Sequence, residues 1–258
     1  MRKPVVVWVK RGLEFNDPLV IEGFPGLGYV GRITVDYIVE KLNAVEFARL
    51  YTPYFPQHVI VDEHGEVRLL KASFYYWSEP DSRRSIILVV GDSQAQTIEG
   101  QYRLASTILG FTRKLGARRV VCIGGYEAYV SDKPRLYVAG TDLDIIREAT
   151  SIGVEVGRIG SPIVGLAGVI LGIAKFYDMK GIAILVETPG YYPDIVAAKE
   201  AIIFVSEYIG VNIDVGDLEK YADKFSQTLR SLEEVAEELK HLSESVRLAD
   251  RGRLTYIS

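Results

Sequence analysis

Apolar positions along the chain follow two rhythms that alternate. Short continuous runs cover Pro4 to Val9, Pro18 to Glu22, Ala44 to Tyr51, Ser85 to Val90, Arg119 to Ile123, Pro134 to Ala139 and Gly181 to Val186. Runs of this length bounded by turn residues predict strands, and the wholly apolar ones suit a parallel sheet buried on both faces. Between them the spacing turns helical. Leu104, Ile108, Phe111 and Leu115 lie four, three and four apart, which predicts a helix over Thr97 to Leu115 with Gly116 as its C-cap. Further helices are predicted to Leu42, over Leu143 to Thr150 and over Ile195 to Ile209. Gly165 to Tyr177 is apolar nearly all round, which predicts a buried helix packed tightly on the sheet.

Val59 to Val61 and Val67 to Ala72 flank Glu63-His64-Gly65, a turn, and predict a β-hairpin that Phe74 to Trp77 extends. The pattern predicts an α/β fold: a mixed, mostly parallel sheet flanked by helices on both faces, with right-handed crossovers and the hairpin as its antiparallel part. From Asp217 the rhythm changes. Leu218, Phe225, Leu229, Leu232 and Leu239 form a narrow apolar seam among charged residues, the mark of a C-terminal helical extension that pairs with a partner or packs along the parent domain. The expected organisation is an α/β domain over 1–213, an amphipathic helix over 214–250 and a flexible tail over 251–258.

Of the 258 residues, 48% are hydrophobic and 25% charged, an ordinary globular balance. A net charge of −4 gives no electrostatic case for nucleic acid or an anionic membrane. The N-terminal apolar run is too short for a signal peptide or a membrane span, and a cytoplasmic location is expected. The single Cys122 sits in an apolar run and reads as a buried structural thiol.

The stretch Leu19 to Leu42 concentrates the candidate chemistry. A strand ends in a turn with Gly23, Pro25, Gly26 and Gly28, and a helix follows. Gly26-x-Gly28-x-x-Gly31 matches the spacing of a dinucleotide fingerprint, in which helix N-terminal N–H groups hold a pyrophosphate. The acidic residue that should close the ribose is out of place: Glu46 has the spacing but opens its strand. Pro25 also removes a donor, so a sharp turn with close helix–sheet packing is the favoured reading. Sites in such folds lie beyond the carboxyl ends of parallel strands, which nominates Gly26, Gly28, Asp92, Gln94, Gly125 and Glu187 as a candidate pocket. Asp92 and Glu187 could face each other as paired carboxylates, or cap the helices that follow. No phosphate-loop G-K-[ST] exists, and Ser93 lacks a histidine partner. His58 and His64 flank Asp62 and Glu63 but read as solvated turn residues, so no metal and no cofactor is expected.

Five motifs in order carry a resemblance: IEGFPGLGYVG at Ile21 to Gly31, VVGDSQ at Val89 to Gln94, IGGY at Ile123 to Tyr126, SPIVGLAGVILGIA at Ser161 to Ala174 and ETPGYYPD at Glu187 to Asp194. Across Leu19 to Gly210 the chain resembles the proteasome assembly chaperone 2 family in its archaeal form. The resemblance implies a nucleoside-phosphorylase-like α/β fold with no established enzymatic activity, and homo-oligomers. In eukaryotic and some archaeal members it implies a chaperone that holds proteasome α-subunits. Members have sometimes been labelled ATP-grasp proteins, a label these residues do not support. Some members carry a C-terminal hydrophobic-Tyr-any tail whose carboxylate meets a lysine between neighbouring α-subunits. Here the end reads Leu254-Thr255-Tyr256-Ile257-Ser258, with the Tyr third from last. Leu254, Tyr256 and Ile257 are the contacts of a variant anchor, one register off. The leading expectation is a non-enzymatic, homo-oligomeric protein-binding protein that contacts proteasome α-subunits. The alternative is a small-molecule or nucleotide-binding enzyme, hydrolase or phosphorylase-like, that uses the Gly-rich strand-end loops.

Overall fold

The computed structural model describes residues 3–61, 64–79, 84–128, 133–158, 160–221 and 223–227. The chain divides into two units, Met1–Gly216 and Asp217–Ser258. In the second, residues 218–221 and 223–227 are helical, and the rings of Tyr221 and Phe225 stack at 6.4 Å. Leu218 and Phe225 of the predicted seam fall within this part. Leu229, Leu232 and Leu239, the tail residues Leu254, Tyr256 and Ile257, and Asp62 and Glu63 lie outside the described residues.

In the first unit, the described strands are β1 (Val5–Trp8), β2 (Leu19–Gly23), β3 (Val45–Tyr51), β4 (Val59–Val61), β5 (Val67–Leu69), β6 (Ala72–Ser78), β7 (Ser85–Gly91), β8 (Arg119–Glu127), β9 (Leu136–Gly140), β10 (Glu155–Val156) and β11 (Lys180–Thr188). The helices are α1 (Val30–Lys41), α2 (Ile98–Lys114), α3 (Leu143–Ser151), α4 (Leu166–Ile173) and α5 (Ile195–Ile209). Nine strands form one sheet in the order β1-β3-β6-β7-β2-β8-β11-β9-β10. Its centre, β7-β2-β8-β11, is parallel, and there the apolar runs of the sequence lie buried between two helical layers. Helix α1 packs beside α5, and α2 beside α4. One core cluster joins Val20, Phe74, Ile87, Val89, Val120 and Ala183 of the sheet to Leu104 and Ile108 of α2 and Ile170 of α4. The fold is therefore the mixed, helix-flanked α/β sheet that the alternation predicts.

Three details differ from expectation. The hairpin β4–β5 is a separate two-stranded sheet, and the antiparallel part comes instead from β1, β3, β6 and β9. The chain leaves the hairpin where Asp92 accepts the Lys71 N–H at 3.0 Å and binds Arg68 at 2.5 Å. Strand β8 runs past Ile123 to Glu127, in register with Thr188 at the end of β11. The stretch Gly165 to Tyr177 is an α-helix only to Ile173 and a 3-10 turn over Ala174–Tyr177. Of its residues only Leu166, Ile170 and Ala174 are fully buried, while Val164 before it and Phe176 within it are 85% and 84% exposed. Ala167, Val169, Leu171 and Ile173 are half-buried and pack against the same core, so the exposed apolar side chains stand at the two ends of the helix.

Candidate functional site

The turn after β2 is closed by the chain itself. Gly28 and Tyr29 take left-handed conformations, with φ of 59° and 52°, and swing the backbone into α1. Three successive N–H groups leading into α1 are already engaged. Gly28 donates to the Gly190 carbonyl at 3.5 Å, Tyr29 to Gly26 at 3.0 Å, and Val30 to Leu27. The Gly28 carbonyl accepts from the Asp194 N–H at 2.8 Å, so the ETPGYYPD loop clamps this turn from both sides.

The glycines explain themselves by what a Cβ would strike. At Gly28 it would lie 2.5 Å from Thr188 Oγ1, at Gly31 2.2 Å from the Ile123 carbonyl oxygen, and at Gly125 2.4 Å from that of Leu27. Real Cβ atoms do not approach that closely, so Gly31 and Gly125 serve close approach of backbone to backbone, and Gly28 of backbone to the Thr188 side chain. Thr188 donates to Asp194 Oδ2 at 2.7 Å, and Asp194 Oδ1 accepts the Ala197 N–H at 2.9 Å, capping α5. None of these anchors is nominated from the sequence; an acidic residue just before an apolar helix is the signal that could have found the Asp194 cap.

Gln94 binds three elements at once. Its amide donates to the Pro25 carbonyl at 2.7 Å, and its carbonyl accepts from Gln101 of α2 and from the Leu166 N–H of α4, both at 3.1 Å. Gly26 lies beside it, a built Cβ falling 3.6 Å from its Nε2. Gly26, Gly28, Gln94 and Gly125 thus meet at the strand ends, as the sequence nominates them, but against protein groups. Asp92 is tied to Arg68 at 2.5 Å and to Arg32 of α1 at 3.5 Å. Two strands separate β7 from β11, a span of about 14 Å, so Asp92 and Glu187 share no partner and form no pair. Ser93 donates to the Gln94 carbonyl.

Glu187 lies on a different feature, a cavity of about 460 Å³ at the ends of β8 and β11. Its side chain is buried, accepting from Tyr137 Oη at 2.8 Å and from the Arg135 N–H at 3.1 Å. Hydrogen bonding to this carboxylate pushes the Tyr137 phenol up from its ordinary pKa. Tyr126 meets Tyr137 edge to face at 5.7 Å, and Arg158, Ser161 and Ile163 complete the wall. Tyr126 closes the IGGY motif at a strand end, but no sequence signal announces Tyr137 or Arg158, because the antiparallel return of β9 beside β11 brings them to it.

Beneath the turn, Glu22 of β2 faces Cys122 of β8 in register, and both are buried. Burial raises the Glu22 carboxyl to about 8, opposed by a hydrogen bond with Cys122, and drives the thiol well above its ordinary range. Cys122 is thus an inert core thiol. Among the described residues no group of three His, Cys, Asp or Glu side chains could hold a metal ion, and no helix is long and apolar enough to cross a membrane.

Comparison with known proteins follows this geometry. The family model described as "PAC2 family" matches residues 20–233. An uncharacterised protein of Methanocaldococcus jannaschii is 31% identical over 240 residues, 93% of this chain and 92% of that protein. The crystal structure of Pyrococcus furiosus PbaB, an archaeal proteasome activator, superposes with a TM-score of 0.81 at 35% identity, covering 90% of this chain and 100% of that one. Pyrococcus furiosus PbaA, an archaeal homolog of proteasome-assembly chaperone, gives 0.74 at 25% identity over 92% of this chain and 99% of that one. With the five motifs in place along the same sheet and the match spanning most of its length, the chain belongs to the PAC2 family.

Proposed function

We propose that this protein is a non-enzymatic, homo-oligomeric protein-binding protein of the cytoplasm that contacts proteasome α-subunits. One observation carries the reading. The turn with dinucleotide spacing packs against Thr188, Asp194 and Gln94, and the amides of Gly28, Tyr29 and Val30 are spent on the chain's own carbonyls. A surface for proteins is then the better use of the fold, and the resemblance to a proteasome activator and to a chaperone homolog supports proteasome α-subunits as partner. The seam of Leu218, Phe225, Leu229, Leu232 and Leu239 would hold copies together, and Leu254, Tyr256 and Ile257 would serve as the anchor. Immobilised full-length protein is expected to retain purified α-subunits, and a triple alanine change at Leu254, Tyr256 and Ile257 to release them. Failure of the intact chain to retain any α-subunit removes this function.

The second reading, a small-molecule enzyme, draws on the cavity beside Glu187. Saturating binding at a hundredfold excess over Kd raises stability by about 2.7 kcal/mol. A thermal-shift screen with nucleotides and nucleosides is expected to show no such rise, and a rise that Glu187→Gln abolishes would reinstate the enzyme.

A further inference from the structure

The amino-terminal strand ends the nine-stranded sheet and leaves one edge open. Strand β1 pairs with β3 through Val5↔Tyr51 to Trp8↔Ala48, and the ladder continues in the Val9 N–H to Phe47 carbonyl bond at 2.8 Å. Antiparallel ladders bond every second residue inward. Val5, Val7 and Val9 therefore point their backbone groups at β3, and Val6 and Trp8 point theirs away from the sheet. The side chains divide the same way. Val6 and Trp8 pack on the core, Trp8 against Phe47 at 5.8 Å and Phe111 at 5.5 Å. Val5, Val7 and Val9 stand on the opposite face, each nearly half exposed.

Sheet edges are ordinarily protected by an inward-pointing charge, a proline or a bulge. Between Val5 and Val9 there is none of these; the strand is short, and Pro4 and the flanking lysines guard only its two ends. Charge appears only at the two ends, as the exposed Lys3, Lys10 and Arg11, and none of the three has an ion-pair partner among the described residues. An uncharged ladder between unpaired cations favours a complementary strand with an apolar middle and acidic ends.

We propose that the open edge of β1 takes up such a segment of a partner protein as an added antiparallel strand. A second copy of this chain is the poorer occupant. The register that pairs β1 with itself most fully, Val6 opposite Trp8, sets Lys3 of one copy opposite Arg11 of the other, and like charges directly opposite are unfavourable; the registers that avoid this pair fewer residues. Backbone bonds to Val6 and Trp8 supply affinity, and the exposed valine row with its flanking cations supplies selectivity.

The test uses the full chain and a fluorescein-labelled peptide in which alternating Val and Thr lie between two acidic pairs. Anisotropy titrations compare it with the same peptide carrying lysine in place of each acid, and with one carrying a central proline. The acidic peptide is expected to bind at least tenfold more tightly than either control, and to weaken as salt rises. Val6→Pro deletes an outward N–H that β3 does not use and is expected to weaken binding at least tenfold, whereas Val6→Ala, which trims the same core-packed side chain but keeps the N–H, is expected to bind as the parent does. The double change Lys10→Glu and Arg11→Glu keeps the ladder and is expected to invert the preference toward the lysine peptide. Equal binding of acidic and basic peptides, or no binding by the full chain, overturns the proposal. So does an oligomer that Val6→Pro dissociates in light scattering, which would give the edge to a second copy. Retention of α-subunits is scored separately, so loss of peptide binding with α-subunits still held refutes only the edge.

Discussion

Glu22 is the least comfortably placed residue of the fold. It sits in the middle strand under two helical layers, and one carboxyl oxygen has no hydrogen-bond partner. Its pKa rises from 4.5 to about 8 because burial disfavours the charged form. Between those two values the folded chain keeps a proton that the unfolded chain has released. Stability from this group is therefore intact below pH 4.5 and falls as pH rises toward 8, by up to roughly 1.4 kcal/mol per pH unit. Glu22→Gln keeps the shape and removes the titration. It is expected to melt higher than the parent above pH 8 and to lose this slope, as differential scanning fluorimetry from pH 5 to 9 will read; superimposable pH profiles would refute the assignment. Sequence alone placed Cys122 in the core, since an apolar run surrounds it. It gave no warning about Glu22, because an acid closing an apolar run reads as a strand end at the surface, and only the ladder with Cys122 shows that the strand continues inward.

At the scale of elements, Gln94 does what neither β2, α2 nor α4 can do alone. It satisfies the Pro25 carbonyl, Gln101 and the Leu166 N–H, and so fixes the turn and both helix starts against one another. Gln94→Leu fills the same volume but strands those groups, each worth about 1–3 kcal/mol when left unsatisfied. The variant is expected to unfold at lower denaturant concentration with an unchanged m-value, and an unshifted midpoint would show that water replaces the side chain at no cost. The strand-end loops were legible because glycine and polar residues interrupt long apolar runs. What filled them was not. Gly124 and Gly125 read as the end of β8, yet the strand continues through them, and the missing Cβ of Gly125 lets the Leu27 backbone come close. Two-residue β10 carries no periodicity at all, and the hairpin β4–β5 parted from the main sheet through contacts to Asp92, twenty-odd residues away.

The whole molecule combines a sheet readable from its alternation with an extension read from its heptads. The parallel centre followed from apolar runs that can be buried only between two layers of helix. The antiparallel wing of β1, β3 and β6 did not, because strand order depends on pairings between distant residues. A chain ending at Gly216 stops at the division between the two units. It is expected to keep its melting transition and to fall to a monomer in size-exclusion chromatography with light scattering. Assembly that survives the truncation would move the contact to the first unit, where the exposed Val164 and Phe176 flanking α4 are the next residues to mutate.

The clamp on the Gly28 turn has a mechanical consequence. Gly190 and Asp194 grip the start of α1, and between these two grips stand Tyr191 and Tyr192, their rings almost wholly in solvent. A load applied to either ring is carried by a segment held at both ends, through Gly28 to the turn after β2 and through the Asp194 and Thr188 side chains to α5 and β11.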